Sequence, residues 1–444
     1  MTKKDMRATW SHFITETKSR PWFIPLAYAM AALLFGFSVP RLVVAELPDW
    51  VSTISVNAAI GFYSSVASGM IALTGIVFSL TFVMVQFSAT AYSPRLVLWI
   101  SRDPVISHSV GVFTATFLYA LAALVWVDRS GSGRVPFVGV GVTGVLLILS
   151  VIMFISLIQR VSMLQVTRML IFTGDQGREI IEKLYPPLDT PATPYLPDLL
   201  TGTFLQTLVH HGHPMAIQRV DIPALIRVAT EAACIIEMTV SVGDAVLEST
   251  PMLRVVGGTG PIPEAGLRSA IELGAERTFD QDPKYAIRLL VDIAIRALSP
   301  AVNDPTTAVQ ALNEIEDLLL RLGRRRLEIG TYRDAAGKPK FLLPYPSWED
   351  FLRLAFDEIR FYGASSVQVM RRMKALITEL LSILPEERHP ALHYWQARLQ
   401  STVEKTFSDK EDILDASDED RQGLGSSRRI AWTNPSHIFP RAQP

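Results

Sequence analysis

A single cysteine, Cys234, occurs in 444 residues, so no disulfide can form within the chain and a reducing compartment suits it. It lies in the apolar run 232–236 and reads as a small buried hydrophobe. Internal repeats are missing. So are nucleophile signatures, glycine-rich phosphate loops and HExxH-type metal motifs, which argues against an enzyme. The net charge of −1 averages two unlike halves and so says little about partners. No cofactor and no nucleic-acid partner is expected.

Long apolar runs are abundant, and they crowd into residues 1–163. A helix needs about 20 apolar residues to cross a hydrocarbon core about 30 Å thick. Four stretches qualify, at about 22–39, 61–87, 107–127 and 137–158. The first is not a cleaved signal peptide, because it runs into Val39-Pro40-Arg41 without a small-residue cleavage site. Lys3, Lys4, Arg7, Lys18 and Arg20 precede it. Arg95 and Arg102 follow the second stretch, and Arg160 and Arg168 follow the fourth. That bias predicts a multi-pass protein of the bacterial inner membrane with both termini in the cytoplasm.

The remainder reads as a mostly helical α+β cytoplasmic domain. Residues 159 to about 195 read as a helix leaving the membrane and then proline punctuation at Pro186-Pro187, Pro191 and Pro194, within a linker expected over 164–199. Turn signals at 213–214, 221–223, 241–244 and 257–260 separate short β-branched runs, so 200–260 is expected to form a small β-barrel or sandwich. Strands are predicted over 235–242 and 251–256, and a short helix over 222–231. From 261 to 408 the period becomes helical. Asp282-Pro283 and Asp304-Pro305 open two helices, which end near Pro300 and at Arg324-Arg325-Arg326. Two more helices are predicted over 349–383 and 386–406, and a disordered tail over 409–444.

Several patterns are candidates for function. In the second apolar stretch, Gly61, Ser65, Ser68, Ala72, Gly75, Ser79, Phe82, Gln86 and Thr90 recur at three- or four-residue spacing and share one helical face. Small residues let helices approach closely in lipid, so packing within the chain is one reading. A pore-lining face in a homo-oligomer is the other. The absence of Asp, Glu, Lys and Arg from this span argues against a proton relay. A polar stretch holds Arg277, Asp280, Asp282, Arg288, Asp292, Arg296, Asn303 and Asp304. Arg288, Asp292 and Arg296 are four apart, and the stretch predicts helix caps with an ion-pair ladder, or else an anion- or cation-binding pocket at the turn. The cluster His210-His211-Gly212-His213 reads as a surface turn rather than a metal site. The run 243–253 is similar to the G-D-x-V-x-x-G-x-x-L hairpin of biotinyl/lipoyl-type barrels. Ser249 replaces its second glycine and no carrier lysine is present, so a bare folded hairpin is expected.

QFSATAYSPRL (86–96), HHGHP (210–214) and DPKYAIRLLVDIAIRALSPAVNDPTTA (282–308) resemble a bacterial inner-membrane family known only as a domain of unknown function. The resemblance covers roughly residues 15–410. It implies the same plan of spans and cytoplasmic domain, and carries no activity or ligand. A weaker, architectural likeness is to bestrophin-type channels. The expectation is therefore a four-span ion channel or pore, homo-oligomeric in the bilayer. The alternative is a membrane-anchored sensor or scaffold whose cytoplasmic domain binds a ligand or partner.

Overall fold

The computed structural model describes residues 23–46, 53–91, 104–127, 134–161, 166–200, 204–258 and 260–425. The chain divides into two compact units, Met1–Gln165 and Val166–Pro444.

The first unit is a helical bundle of α1 (Phe23–Glu46), α2 (Val56–Ala91), α3 (Pro104–Trp126) and α4 (Phe137–Val161). Strands β1 (Thr53–Ser55) and β2 (Arg134–Pro136) pair antiparallel between them. Helix α3 is the hub, packing against each of the other three. Its position follows from small residues: Gly111, Ala115, Ala120, Ala122 and Ala123 are buried along it. A Cβ on Gly36 would come within 2.7 Å of Ala122, one on Gly111 within 2.7 Å of Tyr28, and one on Gly139 within 2.7 Å of the Tyr63 hydroxyl. At these three glycines a neighbouring side chain occupies the space that a methyl group would need. A buried hydrogen bond of 2.9 Å joins Thr116 of α3 to Ser150 of α4.

Three of these helices are long and apolar enough to cross a membrane, over Val56–Val83, Pro104–Trp126 and Phe137–Gln159. Among the described residues the first helix has an apolar part over Phe23–Ser38, within a helix that continues to Glu46.

The second unit begins with α5 (Val166–Leu184), and two sheets follow. The five-stranded sheet has the order β3-β7-β5-β10-β9, built from Phe204–Val209, Pro251–Val256, Ile235–Met238, Pro339–Leu342 and Thr331–Arg333. Only β5 and β10 pair parallel. The three-stranded sheet has the order β6-β4-β8, from Ala245–Val246, Met215–Val220 and Ile271–Gly274. Helices α6 (Ile222–Glu231) and α7 (Glu264–Ser269) complete this part. Leu208, Ile217, Leu225, Ile236, Val246, Val255, Leu267 and Phe341 share one core, drawn from both sheets and both helices.

This arrangement corrects several expectations. The strands form two sheets, and β8, β9 and β10 come from beyond residue 260, so 200–260 is not a self-contained barrel or sandwich. The strand predicted to reach Val242 stops at Met238. The helix expected to leave the membrane at the start of the linker is α5, and the segment after it is pinned. Arg325 Nη1 donates to Tyr185 O at 3.1 Å, and Arg326 donates to the carbonyls of Leu188 and Thr190.

The helical layer contains α8 (Pro283–Ala297), α9 (Pro305–Gly323), α10 (Trp348–Tyr362), α11 (Val367–Ile383), α12 (His389–Thr406) and α13 (Lys410–Ala416). The single helix expected over 349–383 is two. Gly363 ends α10, and Ser366 caps α11 by accepting from Val369 N. The start expected at 386 is a short 3₁₀ turn, with α12 opening at His389. The expected tail is ordered through residue 425: Asp409 caps α13, and buried Asp420 accepts from Gln422 N and Gly423 N at 2.7 and 3.0 Å.

Candidate functional site

Helix α2 has two unlike faces. Ala59, Tyr63, Val66, Ala67, Met70 and Val77 are buried in the bundle. Gly61, Ser65, Ser68, Ala72, Gly75, Ser79, Phe82 and Gln86 are all exposed. A Cβ built on Gly61, Gly69 or Gly75 would meet nothing within 4 Å. Among the described residues, no neighbour packs closely on Gly61, Gly69 or Gly75 of this helix. Bulky Ile71, Ile76, Phe78 and Val83 flank it and are exposed too. Thr74 and Thr81 satisfy their hydroxyls on the helix, donating to Met70 O and Val77 O at 2.7 and 2.8 Å. Thr90 falls within α2, but its side chain lies outside the described residues.

In the second unit the structure separates the predicted polar cluster into three. Asp282 is 1% exposed at the start of α8. Arg277 Nε donates to its Oδ2 at 2.7 Å, and the same guanidinium lies over the Tyr285 ring, 5.2 Å from the centroid. The turn at Gly243 (φ +88°) leads against this pair, and a Cβ there would fall inside the Asp282 carboxylate. Lys284 Nζ donates to Asp244 at 3.2 Å, tying the same turn to α8. Burial raises the Asp282 carboxyl above its usual range, against the opposing pull of Arg277. Its Oδ1 and the Tyr185 hydroxyl are buried without a hydrogen-bond partner among the described residues. Tyr185 titrates well above an ordinary tyrosine, chiefly through burial and secondarily through the Asp282 charge.

The second group is Arg288, which donates from Nε to Asp292 at 2.7 Å and reaches across to Glu358 of α10 at 2.5 and 2.9 Å. The predicted ladder thus reaches between helices, from Arg288 to Glu358. It is partly buried, with side-chain exposures of 20%, 16% and 43% for Arg288, Asp292 and Glu358. The Arg288 hydrogen bond holds Glu358 below the usual carboxylate range.

The third group is the connection between α8 and α9. Asn303 adopts φ +46°, and its N–H donates to Ser299 O at 2.8 Å. Asp304 then caps α9 by accepting from Thr307 N at 3.1 Å. Asp280 is exposed and joins none of the three.

A pair that local spacing did not reveal is the most buried of all. Arg372 of α11 is 3% exposed, bonds to Glu316 of α9, and donates from Nε to Asn313 Oδ1 at 2.8 Å. Burial raises the Glu316 carboxyl, while Arg372 pulls it back down. The only sequence signal was the placement of Glu316 on the otherwise apolar face of α9.

His210 is buried, with Nε2 2.9 Å from His213 O, while His211 and Gly212 N engage Glu248 at 2.9 and 2.6 Å. Among the described residues no group of three His, Cys, Asp or Glu is placed to hold a metal ion. Run 243–253 is not a hairpin: β6 pairs with β4 and β7 with β3 and β5, in different sheets. Ser249, at the position of the missing glycine, still takes φ +64°. Cys234 is 2% exposed and burial raises its thiol.

Residues 18–379 match the family model described as "Predicted membrane protein (DUF2254)". The chain is similar to uncharacterized protein Rv1290c of Mycobacterium tuberculosis, 29% identical over 367 residues, covering 78% of this chain and 68% of that one. Uncharacterized protein Mb1321c of Mycobacterium bovis matches with the same identity and coverage. No solved structure matches. With its apolar helices and a match over most of its length, the chain belongs to the DUF2254 family of predicted membrane proteins.

Proposed function

We propose that this membrane protein is a homo-oligomer in which α2 faces companion copies around a path for small ions. The observation that carries this is the outward small and polar face of α2, formed by residues 61–86. Lipid offers no partners to Ser65, Ser68 or Ser79, whereas a neighbouring helix or water does. The face carries no formal charge, which suits passage of an ion better than its capture. In this reading α1 completes a four-helix inner-membrane bundle, helped by tilt and local thinning of the bilayer. Both termini and the second unit lie in the cytoplasm, and the protein is neither an enzyme nor a cofactor carrier. The test is conductance of the purified full chain in planar bilayers. Unitary currents are expected, and Ser68→Trp should reduce them without changing the particle mass. A second reading makes the protein a membrane-anchored sensor, supported by the partnerless buried Asp282 Oδ1 and Tyr185 hydroxyl. An intact oligomer without conductance would favour it.

A further inference from the structure

Helices α10 and α12 run parallel: Glu349 of α10 lies beside Ala391 of α12, and further along Asp357 lies beside Arg398. Between them is a groove of about 330 Å³, lined by Glu349, Arg353, Asp357, Ala391, Tyr394, Trp395 and Arg398. That volume lies in the range of small-molecule pockets.

Its walls are fixed. Trp395 is 5% exposed and stacks edge-on against Phe356, with centroids 5.7 Å apart. Arg398 lies over both Trp395 and Tyr394 at 5.6 and 5.8 Å and donates to the Tyr394 hydroxyl at 3.1 Å. Asp357 is held by Arg360 at 3.0 Å. Other charges in the groove are uncommitted. Arg353 and Glu349 stand four residues apart on α10, yet neither makes a hydrogen bond or ion pair among the described residues. Tyr394 keeps 55% of its surface exposed beside them. Ala391 leaves the space open where a longer side chain would fill it.

We infer that this groove binds a small planar aromatic anion of nucleoside-monophosphate size, with its charge on Arg353 and its ring against Tyr394 and Arg398. A guanidinium with no internal partner is the stronger anchor for a phosphate or carboxylate, because binding breaks no existing pair. A planar ring matches the Tyr394–Arg398 layer, since guanidinium and aromatic planes stack. Glu349 and Asp357 can then accept from an amino group on that ring. The proposal holds whether or not the spans conduct.

The experiment is calorimetric titration of the full chain in lipid nanodiscs with AMP, adenosine and inorganic phosphate. AMP should bind, and adenosine and phosphate should each bind at least about tenfold more weakly. Arg353→Gln removes a charge-assisted contact of about 1.5–3 kcal/mol and should weaken AMP roughly ten- to a hundredfold. Arg353 is exposed and unpaired, so this variant should melt as the parent does. Ala391→Phe should fill the groove and abolish binding. Absence of AMP binding would overturn the proposal, as would binding unchanged in both variants. Phosphate binding as tight as AMP would overturn the role of the ring.

Discussion

The carboxylate of Asp282 occupies the space that a side chain on Gly243 would need. Gly243 also holds φ +88°, a conformation that side chains resist. Gly243→Ala should therefore cost about 1–3 kcal/mol from backbone strain, with more from displacing the Arg277–Asp282 pair. Thermal melts of the full chain should show a clear loss. Truncating the carboxylate in Asp282→Ala should recover part of the packing cost in the double variant, which a double-mutant cycle measures.

The buried ion pair to break is Arg372–Glu316. Arg372→Ala strands the Glu316 carboxylate in the interior, which typically costs about 3–5 kcal/mol. Arg372→Met with Glu316→Leu should restore most of that stability, because both charges leave together. Asp292→Ala should cost clearly less, since Arg288 keeps Glu358 and its own guanidinium retains about 20% exposure. Denaturant titrations would rank the three. Equal losses for Asp292→Ala and Arg372→Ala would contradict the difference in burial.

Glu358 supplies a pH signature. Arg288 lowers its pKa in the folded chain, so its stabilising contribution is present above the ordinary carboxylate pKa of about 4.3 and fades as pH falls through the lowered folded value. Glu358→Gln should melt below the parent at pH 7, and the gap should close as the pH is brought below that range. A gap that widens towards acid would reverse the sign of the coupling.

How legible was this molecule in its sequence? Short-range chemistry read well. Helix 222–231 matches α6, Asp304 caps α9, and proline opens both α8 and α9. Those signals act within one turn of helix, where composition decides the outcome. Partners far apart in the chain read poorly. Arg288 and Asp292 were visible at four-residue spacing, but Glu358 was not, and neither was the pairing of β10 with β5. The face of α2 was legible as a stripe, while its direction depends on which side α3 buries. The glycines that matter for bundle packing, Gly36, Gly111 and Gly139, lie outside that stripe.

Topology is the next expectation to check. Reporter fusions after Arg20, Arg102 and Arg168 should report cytoplasm, and fusions after Asp49 and Arg134 should report periplasm. The Arg20 and Asp49 pair is the informative one, because it brackets α1, the expected first span. Equal signals from those two would leave α1 on one side of the membrane.

The outward face of α2 can be examined directly, because Cys234 is the only cysteine to remove. In a Cys234→Ser background, single cysteines at Ser68, Gly75 and Ser79 would be oxidised in native membranes and probed with a charged, membrane-impermeant thiol reagent. Cysteine at Phe78, on the flank, serves as the lipid-facing control. The account predicts disulfide-linked dimers from at least one stripe position and modification by the reagent at Ser68 or Ser79, with neither at Phe78. Stripe positions that neither cross-link nor react, alongside a loop cysteine that does, would contradict both the contact between copies and the water-filled path.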